Sequence, residues 1–361
     1  MKKNLFNLFA LSALFAFSAT VFTSCEDDED GERPYNSADK RVYILNEGSY
    51  EKNDSKLDVY YPNTEPTKYV NMLFANANGE QIGDTGQDLI EYNGRLYLSV
   101  NGSKYLAKLD LDGKIIEKYS FTEEDGAPRQ IVADGAYVYV SLYSGTVGRF
   151  DTASIAQGPK FVVVGNNPEG MAIKDKQLLV CNSGWGADNR LSVVDLETFT
   201  LNRNITLENN LQSIAVVEDS VYVTYFDQYY TIHTLNVDLT NDTYRPTNTA
   251  TKFATYGSTL YCANSATTYD ENFIPTVVTN FFKRDVKTGV VNNSIIEEKY
   301  AQEFAKSDVY LFDIDPFTGD IYIGISDHIT NGILYRFDVV GNFIEKHETS
   351  GINPNHAVFV R

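Results

Sequence analysis

One phrase recurs seven times along this chain. It is an alternating run of apolar and aromatic residues that ends in small or polar ones. The copies are Val42–Gly48, Leu96–Gly102, Val138–Leu142, Leu178–Gly184, Val221–Tyr225, Leu260–Asn264 and Ile321–Ser326. Period-two alternation with β-branched and aromatic side chains marks a strand. A short strand precedes six of the copies, among them Gln87–Tyr92, Arg129–Ala133 and Glu169–Lys174. A strand ending near an aspartate follows, as in Arg149–Asp151 and Tyr335–Asp338, and then an outer strand such as Ile115–Phe121. Four strands every ~40 residues is the spacing of propeller blades.

The ends of the array complement each other. The first phrase has no inner strand before it, and Asn355–Val360 reads as an inner strand with nothing after it. Joined, they complete one blade and remove an open edge. The expected fold is therefore all-β, a seven-bladed β-propeller of four-stranded antiparallel blades over residues 39–361, its ring closed by the C-terminal strand. Long insertions fall at 266–276 and 297–308, around the sixth blade, and no long amphipathic helical pattern appears.

The first 38 residues do not share this pattern. Lys2 and Lys3 precede an apolar run, Leu5–Phe17, and small residues lead to Cys25. That is the layout of a secretory leader, and the run is too short for a bilayer span of about 20 residues. Val21-Phe22-Thr23-Ser24-Cys25 matches a bacterial lipobox, so residues 1–24 read as a lipoprotein signal peptide and Cys25 as the acylated new N-terminus. Several acyl chains on one residue anchor a protein stably. Glu26 to Asp30 is a like-charge block, which cannot pack, so 25–38 read as an acidic tether. The formal net charge is −19, more negative still once the leader's lysines are gone. Such acidity argues against nucleic acid as a partner. Cys181 and Cys262 lie inside apolar strands and read as buried free thiols.

A propeller names no function; the loops at its mouth must. Inner-strand starts and the turns after second strands converge there. The starts bring Gln87, Asp88, Arg129, Gln130, Glu169, Gln212, Lys252, Tyr310, Asn355 and His356. The turns bring Glu47, Tyr50, Asn101, Tyr143, Trp185, Phe226, Tyr229, Tyr269 and His328. Trp185, the only tryptophan, sits between glycines in a turn, where a core role is not expected. Amides, hydroxyls and aromatic faces suit a broad neutral ligand, a sugar or a protein surface alike. Enzyme chemistry is not expected. There are four histidines, none paired at metal-ligand spacing. There is no Gly-x-Ser-x-Gly elbow and no phosphate-cradling loop.

The repeat phrases, the Asn46-Glu47-Gly48-Ser49 turn and the acidic lipoprotein leader together resemble the YncE-like surface-layer propeller lipoproteins of Bacteroidetes. Within that group the chain is most similar to the cobalamin-capturing surface lipoproteins of BtuG type. The resemblance implies an extracellular, lipid-anchored protein of the outer membrane. It would bind cobalamin and related corrinoids as cargo, with no catalytic cofactor, and pass them to a TonB-dependent transporter. A corrinoid is a broad, amide-edged disc, and capturing it takes a wide concave site with aromatic faces and many polar groups. The residues expected to serve it are Tyr50, Arg129, Gln130, Tyr143, Glu169, Trp185, Gln212, Phe226, Lys252, Tyr269, Asn355 and His356. A glycan-binding propeller and a surface-layer or adhesion protein remain the alternatives.

Surface display has a direct test. Protease added to intact cells should remove the protein, and Cys25→Ala should release it from membranes. Protection until the outer membrane is broken would contradict export.

Overall fold

The computed structural model describes residues 40–64, 66–229, 231–269 and 275–361. The leader, Cys25 and the acidic tether lie outside them. Seven four-stranded antiparallel sheets form the ring. Blade 2 is representative: Gly86–Tyr92 innermost, then Arg95–Val100, Tyr105–Leu109 and Ile115–Ser120. Its second strand is buried on both faces, because neighbouring blades cover both sides of it. Its outermost strand alternates half-buried and exposed positions, since one face meets water.

The core is a series of layers between blades. Tyr97 and Leu106 of blade 2 pack with Val138, Val140 and Phe150 of blade 3. Val42, Ile44 and Tyr60 of blade 1 pack with Leu311, Tyr322 and Leu334 of blade 7. The ring closes as the repeat predicts. Pro354–Val360 lies beside Arg41–Asn46, in register from Arg41↔Val360 to Leu45↔His356, and the sheet continues through Lys56–Tyr61 to Lys68–Val70.

The aspartates that end third strands have a shared task. Asp110, Asp195, Asp238, Asp285 and Asp338 each accept backbone N–H groups from the turn that follows. Such Asx turns tie the hairpin to the outer strand. Those amides hold Asp195 and Asp285 below the usual carboxylate range.

The two insertions differ from plain loops. In the sixth blade, Thr259–Tyr269 and Pro275–Asp285 stay paired without a slip out to Tyr269↔Pro275, so the first insertion is mostly longer strand. Its Thr and Val content favours that. The second holds a short helix, Glu298–Phe304, whose Phe304 is buried against Phe281, Tyr335 and Phe337. Another short helix, Leu73–Asn78, joins blades 1 and 2 and carries buried Phe74 inward. Single turns like these lack the length for a period to declare itself. Cys181 and Cys262 are free and buried, and burial raises both thiols well above their ordinary value.

The seam between blades 7 and 1 carries a charged network. Arg336 donates to Asp320 at 2.7 and 2.9 Å, to Glu345 at 3.0 Å and to the Tyr60 hydroxyl at 3.1 Å. Tyr60 also donates to Glu345, and His347 lies 3.2 Å from it while its ring packs on Tyr60 and Tyr69.

Truncation before Ile352 tests closure. It would uncover Val42, Tyr43, Ile44 and Leu45, all fully buried. Each is worth about 1.5–3 kcal/mol, together comparable to a domain's whole stability of about 5–15 kcal/mol. Aggregation is expected; a soluble protein with an unchanged Tm would contradict closure. The seam also predicts an acid limb. Burial pushes the Glu345 carboxyl up, but bonds from His347, Tyr60 and Arg336 outweigh it and bring it to about 2 from 4.5. A depressed carboxylate adds stability that is complete above its unfolded value and is lost as pH falls from about 4.5 towards 2. Denaturant midpoints measured across that window should fall less steeply for Glu345→Gln than for wild type.

Candidate functional site

Six of the seven inner strands begin with a break in register. Pairing skips Gln87 in blade 2, Arg129 and Gln130 in blade 3, Glu169 and Gly170 in blade 4, and Gln212 and Ser213 in blade 5. It skips Tyr310 in blade 7 and Asn355 in blade 1. A bulge frees a residue from the ladder and re-aims its side chain. Here it does so at the same place in successive blades. Lys252 arrives on the one inner strand that pairs without a slip. Gly170 is required by close approach, since a Cβ there would lie 2.7 Å from the Gln212 carbonyl oxygen.

Hydroxyls on second strands hold these irregular segments between blades. Ser99 donates to the Arg129 carbonyl at 2.6 Å, and Ser141 to the Glu169 carbonyl at 2.9 Å. The Ser213 amide donates to Thr224 at 3.0 Å. Backbone groups released by the bulges are therefore paired, as buried polar groups must be.

Most of the freed side chains line an axial cavity of about 390 Å³. Arg129 forks onto Glu169 at 2.8 Å through Nε and again through Nη2, and Nη1 donates to Gln87. Ser183 donates to the other Glu169 oxygen at 3.1 Å. Burial pulls the Arg129 guanidinium down, but Glu169 and Tyr143 outweigh it and raise it. Tyr310 donates to Glu47. His356 Nε2 lies 3.2 Å from Asp88 and Nδ1 3.8 Å from Asp313. Burial raises both of those carboxyls, and His356 partly offsets it. Lys252 sits 5.1 Å over the Tyr310 ring, its amine pulled down by burial against the opposing pull of Glu47, Asp313 and Asp308.

Aromatic groups line the rim above. Arg129 stacks 5.1 Å over Tyr143, and Trp185 meets Tyr143 edge-on at 5.9 Å. Burial pushes the Tyr143 hydroxyl up to about 12. Trp185 is 75% exposed on a turn in the left-handed region, φ 51°. Tyr50 and Tyr229 stand as open on the turns of blades 1 and 5. Phe226 ends its strand half-buried.

The expected residues thus separate into groups. Arg129, Gln130, Glu169, Lys252, Asn355 and His356 meet around or beside one cavity, and Tyr143 and Trp185 adjoin it through Arg129. Tyr50 lies on the turn of blade 1, and Phe226, expected on a turn, is the last residue of a strand in blade 5. The Gln212 amide folds back onto Asn210 at 2.8 Å and does not line the cavity. Tyr269 ends the long strand of blade 6, and its side chain lies outside the described residues. Glu47, Gln87, Ser213 and Asp313 line the cavity without having been singled out as ligand contacts. Asp313 lies deep in its strand, where only knowledge of the bulge reveals the direction of its side chain. No cluster of three potential metal ligands occurs among the described residues.

The profile of the family described as "Domain of unknown function (DUF5074)" matches residues 40–359. No curated protein matches the chain. Solved structures resemble it at low identity. The hydrazine synthase of Kuenenia stuttgartiensis shares 14% identity, over 76% of this chain and 95% of that one, with a TM-score of 0.58. The Pan2 WD40 domain of Neurospora crassa shares 11%, over 74% and 81%, with a TM-score of 0.55. Apo AztD from Citrobacter koseri shares 11%, over 89% and 98%, with a TM-score of 0.52. At such identities the likeness is one of fold.

Proposed function

The chain belongs to the DUF5074 family, and from that premise we propose that it is a surface lipoprotein that captures cobalamin and related corrinoids at the propeller mouth. It hands them to a TonB-dependent outer-membrane transporter, and it is a binder with no catalytic role. The supporting observation is the pairing of a polar, bulge-built bore with an exposed aromatic rim: Trp185 on Tyr143, Tyr143 on Arg129, Arg129 on Glu169. A corrinoid offers matching parts, apolar faces for the rim and amide arms for the bore. The bore's groups are held by backbone and by one another, so ordering them costs little on binding. Reading residues 1–24 as a lipoprotein signal and 25–38 as an acidic tether supports capture outside the cell.

Cobalt ligation is not needed in this reading. His328 is engaged by Asp308 at 2.9 Å and His356 by Asp88. Cyano- and hydroxocobalamin should therefore titrate alike.

Calorimetric titration with cyanocobalamin tests the proposal. An aromatic anchor is worth about 2–4 kcal/mol, so Trp185→Ala should weaken binding by roughly 30- to several-hundred-fold, at about 1.4 kcal/mol per tenfold. His347→Ala should lower Tm, since the ring packs on Tyr60 and Tyr69, and leave affinity unchanged. No heat with wild type, or equal curves for wild type and a Tyr50/Trp185 double alanine variant, would refute it.

A further inference from the structure

The outer rim between blades 5 and 6 holds a cleft of about 650 Å³, separate from the axial cavity. Strand register builds it. Tyr222, Asn236 and Arg245 stand opposite one another across three neighbouring strands of blade 5, so they share one face. That face meets blade 6, because Tyr222 packs there with Leu260, Cys262 and Phe282. On the blade 6 side, Arg284 stands opposite Leu260 and so faces blade 5. The two arginines therefore line one cleft from facing blades. Blade 6's outermost strand is only Val291–Asn292, two residues against the six of Ile115–Ser120 in blade 2, which leaves the cleft open at its outer side. Gly289, in the turn that ends blade 6's third strand, also lines it, so it opens on the face away from the mouth.

Its charge runs against that of the whole protein. The formal net charge is −19, yet the cleft is lined by two arginines and no carboxylate. Arg41, Arg129, Arg190, Arg203 and Arg336 each hold an ion pair, whereas Arg245 and Arg284 hold none among the described residues. Neutral groups position Arg284: it donates to the Asn248 side chain and, at 3.4 Å, to the Gly289 carbonyl, leaving other N–H groups of its fork free. The Arg245 side chain is exposed and makes no hydrogen bond among the described residues. The carboxylates of the adjoining cleft do not claim it. Lys174 takes Asp175 and Asp219 at 2.9 and 3.0 Å, and the Asn241 amide takes Asp238 at 2.7 Å.

A guanidinium fork meets an oxyanion at two points. Two forks with no opposing carboxylate favour a doubly charged oxyanion over a singly charged one. A phosphate monoester carries about −1.5 to −2 at neutral pH. The protein's distant carboxylates oppose it weakly, since charges further apart than about 8 Å are largely screened at physiological salt. Beside the arginines, the Asn236 amide and the Tyr222 hydroxyl make no hydrogen bond among the described residues. Those groups suit hydroxyls, and the cleft has room for more than a phosphate.

We propose that the cleft between blades 5 and 6 binds a phosphorylated sugar, its phosphate monoester held between Arg245 and Arg284 and its hydroxyls by Asn236 and Tyr222. The proposal does not rest on the corrinoid reading, and a failed corrinoid titration leaves it standing.

Calorimetric titration of the purified protein with glucose 6-phosphate tests it. Saturable binding is expected, with inorganic phosphate and glucuronate each weaker by about tenfold or more and glucose giving no heat. Arg245→Gln should weaken binding roughly ten- to a hundredfold with Tm unchanged, because the side chain has no partner to lose. Arg284→Gln should weaken it as well. Arg149→Gln removes the same charge from blade 3, where that arginine stacks on Tyr137 and Phe199, and should leave affinity as it is. An absence of saturable binding would overturn the proposal. So would equal losses from Arg149→Gln and Arg245→Gln, which would reduce the effect to overall charge. Inorganic phosphate binding as tightly as glucose 6-phosphate would overturn the sugar, and glucuronate doing so would overturn the phosphate.

Discussion

Pairing of Pro354–Val360 with Arg41–Asn46 is the interaction on which everything else depends. Each blade's second strand is buried because a neighbour covers both its faces. That condition can hold for all seven blades only if the chain's two ends meet. The closing strand also does local work. It delivers Asn355 and His356 to the bore and places the Asn355 amide on the Gly86 and Gln87 carbonyls of blade 2. Closure and site construction are therefore one event, and an open ring would have neither a sealed core nor a complete bore.

The bore follows from a second constraint, the narrowing of space towards the ring axis. Regular inner strands would send alternate side chains into neighbouring blades all along their length. A bulge at the start of six of them turns one or two residues towards the axis without disturbing the pairing beyond. The cost is a set of unladdered backbone groups in a crowded place. Ser99, Ser141 and Thr224 meet that cost from second strands. A small hydroxyl suits the position, because it reaches the adjacent blade's backbone without filling the space the bulge needs.

Strand count and closure were legible in the sequence because they rest on period, and the aspartates that end third strands were visible there although their turns were not. The residues of the mouth were legible as a set for the same reason: knowing where a strand begins places its first residues at one face. Their partnerships were not. That Arg129 pairs with Glu169, forty positions away, while Lys252 lies over the Tyr310 ring depends on which way each inner strand turns its first residues. Gln212 and Glu169 occupy equivalent positions in neighbouring blades, yet one folds back on its own loop and the other anchors an arginine. The long hairpin of blade 6 misled for a different reason. Its Thr-rich extension carries no apolar alternation, so it resembles a loop, although cross-strand pairing suffices to hold it.

The first strand of the ring is anchored at both its ends. Arg41–Asn46 runs towards the mouth, since Asn46 leads into the turn that carries Glu47 and Tyr50. Lys40 therefore lies at the opposite face. It is fully buried there, ion-paired with Asp315 and 3.5 Å from the Thr318 hydroxyl in the turn after blade 7's inner strand. A buried pair of this kind is costly to form and costlier to break singly, which fixes where the chain enters. The described propeller therefore begins on the face opposite the turn that carries Glu47 and Tyr50. The strand that closes the ring with Pro354–Val360 thus has a charged anchor at one end and the cavity's Glu47 just beyond the other.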